Sequence, residues 1–216
     1  MSTPAPPISF AGTSLGAYRH VCAFFNTPDE EYRTLLPFIR DGLLQGERAY
    51  HVIDPSLREK HLQHLREAGI DVEAAQRTGQ LEVEIPQNTY LRGGHFDKDA
   101  MLELIQEALR AGVARGFPLT RLVAHCECGV GDWPGGRDWV EYEARLNYVL
   151  PRYQDPVICT YDCRMLGAGV ALDILRTHPM VILGEVLHEN PFYVPPDEFL
   201  RELGARRLKP EPPAAP

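Results

Sequence analysis

Short apolar runs alternate with amphipathic stretches along most of the chain, and this pattern predicts strands and helices in turn. The runs YRHVCAFF, RAYHVID, TRLVAHCE and PVICTYD are rich in β-branched and aromatic residues and predict buried strands. LEVEIP alternates polar and apolar positions, as an edge strand does, and MVILGEVL predicts one further strand. The pattern favours a mostly parallel sheet.

Helical patterns connect these strands. Thr27 is a predicted N-cap, followed by Pro28 and three carboxylates that suit the positive end of the helix dipole, and this helix should end near Gly46. Ser56 is the predicted cap of the next helix, which Gly69 closes. Further helices are predicted over DKDAMLELIQEALRAGVARG, WVEYEARLNYVLPRY, residues 169–176 and DEFLRELG. At least five strand and helix units predict a three-layer α/β/α sandwich, in which ligands bind beyond the carboxyl ends of the strands.

The two ends of the chain differ from its interior because they are rich in proline and poor in large apolar residues. We expect flexible tails over residues 1–15 and 208–216, and a single domain over residues 16–207. A chain of 216 residues is long enough to bury one full core. It shows neither a signal-peptide pattern nor an apolar stretch of the roughly 18 residues that would cross a bilayer, so we expect a cytoplasmic protein without a membrane partner.

Charge and cysteine content narrow the classes of partner. A net charge of −8 argues against direct nucleic-acid binding, which draws its affinity from clustered lysine and arginine. Five cysteines are an odd number in a chain that can stabilise itself through its core, so we expect reduced thiols rather than a disulfide framework. Metal ligation and redox chemistry remain open for them.

Two common catalytic signatures are missing. A phosphate-binding loop after the first strand would need glycines and a lysine, but the chain has FFNTPDEEY there, with three carboxylates that would repel a nucleotide. The nucleophile motif GxSxG is absent as well. We therefore expect a protein that binds a ligand and predict no catalytic residue, with an enzyme that acts on a small molecule as the last of the alternatives.

Six motifs follow one another in a recognisable order: HVCAFFNTPDEEY, GERAYHVIDP, a strand ending in Cys-Glu, YEARLN, CTYD and THP. Together they resemble the MEDS domain, the sensory module of methanogens, methylotrophs and the dichloromethane-responsive repressor, over most of residues 18–203. The resemblance implies a RecA/KaiC-like fold without the ATP-binding loop and a stand-alone sensor of a small organic molecule, such as a hydrocarbon derivative. Such a sensor would signal through a kinase, a transcription regulator or a homo-oligomer. The segment HCECGVGDWPGG departs from the family pattern, where Glu followed by Trp is expected.

The predicted ligand-binding residues lie in or near the ends of strands. They are His20, Cys22, Phe24, Phe25, Asn26, Tyr32, Asp54, Glu127, Tyr161 and Asp162. Core packing is the alternative for the aromatic residues, and a simple turn is the alternative for Asp54. Glu127 could accept a hydrogen bond from a ligand or pair with Arg145 or Arg164.

Cysteine and histidine residues also recur at spacings that place their side chains on one face of a strand. We expect no resident cofactor, but zinc, copper or haem could be held by His20, Cys22, Cys126, Cys128, Cys159 and Cys163 if their strands are neighbours. No spacing among them is CxxC, so ordinary core packing and redox sensing stay as alternatives. His178 is expected to close a helix by bonding to its last carbonyl groups.

Overall fold

The predicted alternation of strands and helices is present in the computed structural model, which describes residues 7–126 and 134–208. The strands are β1 (Ile8–Phe10), β2 (Thr13–Leu15), β3 (His20–Phe25), β4 (Arg48–Val52), β5 (Leu81–Glu84), β6 (Thr120–His125), β7 (Val157–Asp162), β8 (Met180–Leu183) and β9 (Val186–Glu189). The helices are α1 (Pro28–Leu44), α2 (Arg58–Glu67), α3 (Val72–Thr78), α4 (Lys98–Ala114), α5 (Trp139–Val149), α6 (Ala168–Thr177) and α7 (Pro196–Arg207).

Seven strands form one sheet in the order β5-β4-β6-β7-β3-β8-β9. All neighbours are parallel except β8 and β9, and β5 lies at an edge, as its alternating sequence predicted. The central strands β3, β4 and β6 are buried along their whole length because helices cover both faces. The predicted three-layer α/β/α fold with a mostly parallel sheet is confirmed.

Each face of the sheet has its own apolar core. Side chains of β3 alternate between the faces, so Cys22 and Phe24 pack with α4, α5 and α6, whereas Val21, Ala23 and Phe25 pack with α1, α2 and α3. We call these the α5 face and the α1 face. This alternation decides which polar side chains of neighbouring strands can meet.

Helix α1 begins as its sequence predicts. The Thr27 hydroxyl accepts a hydrogen bond from the backbone N–H of Glu30 at 3.2 Å, and the Glu30 carboxylate accepts one from the backbone N–H of Asn26 at 2.8 Å. The pair is similar to a capping box, except that the Glu30 carboxylate bonds to the residue before the Thr27 cap, and Pro28 stands in the first turn. The loop after β3 is therefore fixed by its own side chains.

Three local predictions need correction. Ser56 does not cap α2, because its N–H donates to the Asp54 carboxylate at 2.8 Å and Leu57 occupies the cap position. MVILGEVL is two strands, β8 and β9, joined by a turn in which Gly184 and Glu185 have positive φ. Part of the predicted N-terminal tail is ordered, because β1 and β2 form an antiparallel hairpin.

That hairpin packs on the α1 face through three apolar side chains. Ile8, Phe10 and Leu15 are all buried there, so these few residues do bury enough surface to hold the segment in place. The rest of the two predicted tails, residues 1–6 and 209–216, lies outside the described residues. No helix within the described ranges is long and apolar enough to cross a membrane.

Candidate functional site

A cavity of about 290 Å³ opens at the carboxyl ends of β3, β6 and β7, beside the start of α1. Its surface is mostly apolar. It is lined by Phe25, Thr27, Pro28, Glu31, Tyr32, Asp54, Leu57, Lys60, His125, Thr160, Tyr161, Asp162, Arg164 and Met165. This is the edge where ligands bind in open parallel sheets. We call it the strand-end cavity.

Five of the predicted ligand-binding residues line this cavity: Phe25, Tyr32, Asp54, Tyr161 and Asp162. Phe24 points to the α5 face, where its ring stacks on Tyr161, and Cys22 is buried in the same core. Asn26 donates to the Glu30 carboxylate through its backbone N–H and its side-chain amide. His20 lies at the amino end of β3, the opposite edge of the sheet from the strand-end cavity. Glu127 lies outside the described residues.

The polar groups of the cavity are held by one another. His125 Nε2 lies 2.9 Å from the Glu31 carboxylate, although sequence reasoning missed both residues. The Asp162 carboxylate accepts hydrogen bonds from the Arg164 guanidinium, and this bonding holds the pKa of Asp162 below its usual value. Arg164 thus pairs with Asp162, and Arg145, the other partner considered for Glu127, pairs with Asp99 and Glu141.

Two buried histidines stand behind Tyr32. The Tyr32 hydroxyl lies 3.0 Å from His61 Nδ1, and His61 Nε2 lies 2.9 Å from His51 Nδ1. Burial lowers the pKa of His51 to about 3 and that of His61 to about 2, with neighbouring imidazoles adding repulsion. Both rings are therefore neutral at pH 7, and they support the cavity wall as hydrogen-bonding groups rather than as charges.

A second polar cluster lies on the α5 face. His20, Glu143, Cys159 and His178 are all buried, and one donor atom of each lies within 4.8 Å of the other three. Glu143 Oε2 is 3.3 Å from Nε2 of both imidazoles and 3.7 Å from the Cys159 sulfur, which lies 3.8 Å from His20 Nε2. We call these four residues the His-Glu-Cys cluster.

Electrostatics in this cluster favour an ionised carboxylate at Glu143. Burial alone would raise the pKa of Glu143, but the two imidazoles hold it well below its usual range. Burial lowers the pKa of His20, and the His178 ring beside it acts in the same direction. The Cys126 thiol lowers the pKa of Cys159, but burial and the Glu143 charge raise it to a net value of about 12.

Two of the six predicted metal ligands, His20 and Cys159, therefore belong to this cluster. Cys22 and Cys126 are buried on the same face outside the set, Cys163 is exposed, and Cys128 lies outside the described residues. Sequence reasoning missed Glu143 and His178 as candidate ligands. Both residues lie in motifs that carry the family resemblance, YEARLN and THP. Those motifs were the one signal in the sequence that could have indicated them as ligands.

His178 also fulfils its predicted role at the end of a helix. Its Nδ1 donates to the carbonyl oxygen of Ile174 at 2.8 Å, in the last turn of α6. That bond fixes the orientation of the ring, and so Nε2 is directed at Glu143.

Comparison with known proteins agrees with these observations. Residues 19–179 match the family described as MEDS, the methanogen/methylotroph, DcmR sensory domain. The transcriptional repressor DcmR of Methylorubrum extorquens is 28% identical over 171 residues, which are 78% of this chain and 61% of the repressor. The chain therefore spans less than two thirds of that relative's length.

The fold has a counterpart among solved structures. A KaiC-like protein from the hyperthermophilic archaeon Pyrococcus horikoshii OT3 superposes with a TM-score of 0.51 at 18% identity, over 76% of this chain and 70% of the other. This confirms the RecA/KaiC-like architecture. The family match covers most of the chain, including the motifs from HVCAFFNTPDEEY to THP, and so the chain belongs to the MEDS family of sensory domains.

Proposed function

We propose that the chain is a sensory domain that binds a small, mostly apolar organic molecule in the strand-end cavity. The observation that supports this most directly is the chemistry of the cavity wall. Aromatic and aliphatic side chains supply most of the surface, and a few polar groups, such as the His125–Glu31 pair and Thr160, stand among them. Small-molecule sites combine these two features in the same way.

The size of the cavity limits the ligand. At about 290 Å³ it is at the lower end of the range for small-molecule pockets, roughly 300–1,000 Å³. A short hydrocarbon derivative with one hydrogen-bonding group fits within this volume. The start of α1 disfavours phosphate, since Asp29, Glu30 and Glu31 form its first turn.

The sensory family and the repressor relative both support a regulatory role rather than catalysis. We propose that ligand binding changes a surface that contacts a protein partner, such as a transcription regulator or a kinase, or a second copy of the chain. Helix α1 is suited to transmit the change. Its first turn lines the cavity, and it packs against the α1 face of the sheet along its length.

Ligand binding can be tested by chemical denaturation in the presence of short-chain alcohols, haloalkanes and methylamines. A ligand that binds only the folded state adds about 2.7 kcal/mol of stability at 100 times its Kd. We expect at least one of these classes to raise the free energy of unfolding in a saturable, concentration-dependent manner.

A cavity-filling variant ties the effect to this site. Met165 lines the cavity but is 57% exposed, so Met165→Trp can narrow it without disturbing the core. The matched control is Leu172→Trp on α6, where Leu172 is similarly exposed and does not line the cavity. Met165→Trp should abolish the stabilisation and Leu172→Trp should retain it. The proposal would be contradicted if a compound stabilised both variants equally. It would also be contradicted if no compound stabilised the wild type.

A further inference from the structure

The His-Glu-Cys cluster brings together side chains from four parts of the fold. His20 begins β3, Cys159 lies on β7, Glu143 lies on α5, and His178 stands between α6 and β8. All four are buried, with Glu143 and His178 at 0% exposure. A buried carboxylate surrounded by side chains of metal-binding type needs a physical explanation, because burying an unpaired charge is costly.

The outer hydrogen bonds of the two imidazoles fix their tautomers. His178 Nδ1 faces the Ile174 carbonyl oxygen, which can only accept, so Nδ1 must bear the proton. His20 Nδ1 lies 3.1 Å from Asn147 Oδ1. The orientation of that amide is set in turn, because Asn147 Nδ2 donates to the carbonyl oxygens of Glu143 and Thr177. His20 therefore also donates through Nδ1.

Both rings consequently present Nε2 to the same carboxylate oxygen. Glu143 Oε2 is an acceptor and lies 3.3 Å from each of these nitrogens. Positive charge is needed where the three atoms converge, and either protons on Nε2 or a metal cation can supply it. The other carboxylate oxygen is already satisfied, since Oε1 accepts from the Tyr161 hydroxyl at 2.7 Å.

Four of the six distances between the donor atoms are close to those around a tetrahedral zinc ion, and the other two, from His178 to His20 and to Cys159, are at most 4.8 Å. With bonds of about 2.05 Å to nitrogen or oxygen and about 2.3 Å to sulfur, the N···O edges are about 3.3 Å and the edges to sulfur are about 3.6 Å. The observed edges are 3.3 and 3.3 Å from Glu143 to the imidazoles, 3.7 Å from Cys159 to Glu143, and 3.8 Å from Cys159 to His20.

We propose that His20, Glu143, Cys159 and His178 form a four-coordinate site for a divalent transition-metal ion, with a donor set that suits zinc best. Two neutral imidazoles, one carboxylate and one thiolate balance the charge of a divalent cation. Binding releases the thiol proton of Cys159 to solvent, and no oxidation occurs. The buried site is then electrically neutral.

Surrounding side chains supply the outer bonds that such a site requires. Asn147 and the Ile174 carbonyl hold the two imidazoles, and Tyr161 holds the carboxylate while accepting from the Trp139 indole N–H at 3.2 Å. Bonds of this kind orient metal ligands and tune their basicity. A surface crevice of about 70 Å³ borders the cluster at His20 and Asn147.

The test begins with the wild-type chain, unfolded and refolded with a chelator, dialysed, and titrated with Co²⁺ as a spectroscopic substitute for zinc. We expect one equivalent of Co²⁺ to bind with strong visible d–d bands, which indicate a tetrahedral site, and with a near-ultraviolet charge-transfer band, which indicates a thiolate ligand. Zn²⁺ should displace the Co²⁺ stoichiometrically. A refolded wild-type chain that binds no Co²⁺, or binds it without the thiolate band, would overturn the proposal.

Variants then identify the ligands. Cys159→Ser should remove the charge-transfer band, whereas Cys163→Ser, a matched control at an exposed cysteine, should retain it. Asn147→Ala should keep the band and lower zinc affinity by about 10- to 100-fold, because it removes only an outer bond. Retention of the band in Cys159→Ser would also overturn the proposal. None of these substitutions lies in the strand-end cavity, so the outcome is separate from the ligand test.

Discussion

Acidification from pH 7 to pH 5 should destabilise the fold through the buried pair of His51 and His61. Their rings are linked at 2.9 Å, with Tyr32 on the far side of His61, and their pKa values are about 3 and about 2. The unfolded chain returns both to an ordinary pKa near 6.5. Between about pH 6.5 and pH 3 the unfolded state therefore binds more protons, and stability falls as the pH falls.

The size of the effect follows from the same values. At pH 5 nearly every histidine of the unfolded chain is protonated, while these two remain neutral in the folded state. Each ring then costs about 1.9 kcal/mol of stability relative to pH 7, so the pair costs about 4 kcal/mol. That is a large part of the roughly 5–15 kcal/mol that stabilises a typical domain.

Urea denaturation at pH 7, 6 and 5 measures this loss directly. His51→Gln removes one member of the pair and should reduce the pH-dependent loss by about 2 kcal/mol. His188→Gln, at an exposed position on β9, is the control and should leave the loss unchanged. A wild-type loss below about 1 kcal/mol, or a full loss in His51→Gln, would refute the reasoning.

Two further stability predictions concern single side chains. Glu47→Ala leaves the buried Arg121 guanidinium without its counter-ion and should lower the free energy of unfolding by about 3–5 kcal/mol. Arg33→Ala breaks an exposed ion pair and should lower it by at most about 1 kcal/mol. Urea denaturation of the two variants measures the difference. Leu15→Ala should lower the free energy of unfolding by about 2–5 kcal/mol because Leu15 is fully buried in the hairpin. The control Leu44→Ala, at an exposed position, should lower it by about 0.5 kcal/mol or less. An equally small loss in Leu15→Ala would show that the hairpin is not docked.

Most of the sheet could be predicted from sequence because the spacing of apolar residues and the chemistry of helix caps are visible within a few neighbouring residues. The apolar runs that became β3, β4, β6 and β7 are buried on both sides, and the capping residues of α1 lie next to one another in the chain. Two of the three predictions that were wrong involve partners distant in sequence or an unusual backbone, whereas the predicted cap Ser56 is bonded to the neighbouring Asp54 instead. The hairpin of β1 and β2 is ordered by contacts with the α1 face, and the turn between β8 and β9 uses a positive φ at Glu185, where glycine is the usual residue.

Candidate site residues were likewise predictable where the signal was local and missed where it depended on distant partners. Phe25, Asp54, Tyr161 and Asp162 were predicted from their positions at strand ends, and they line the strand-end cavity together with Tyr32, which was predicted on the helix that follows the first of these strands. His125 and Glu31 also line it but were missed as a pair, since 94 positions in sequence separate two residues whose side chains meet at 2.9 Å. No local pattern records such a meeting.

The sequence by itself determined the alternation of strands and helices, the absence of a phosphate-binding loop and the edge of the sheet at which the strand-end cavity lies. Those properties depend on side-chain period, caps and the rule that parallel strands end together. Only the tertiary structure decided that His20 and Cys159 meet Glu143 and His178, and that the other described cysteines do not join them. The strand order, with β3 between β7 and β8, brings these residues together, and that order is set by long-range packing that no short stretch of sequence encodes.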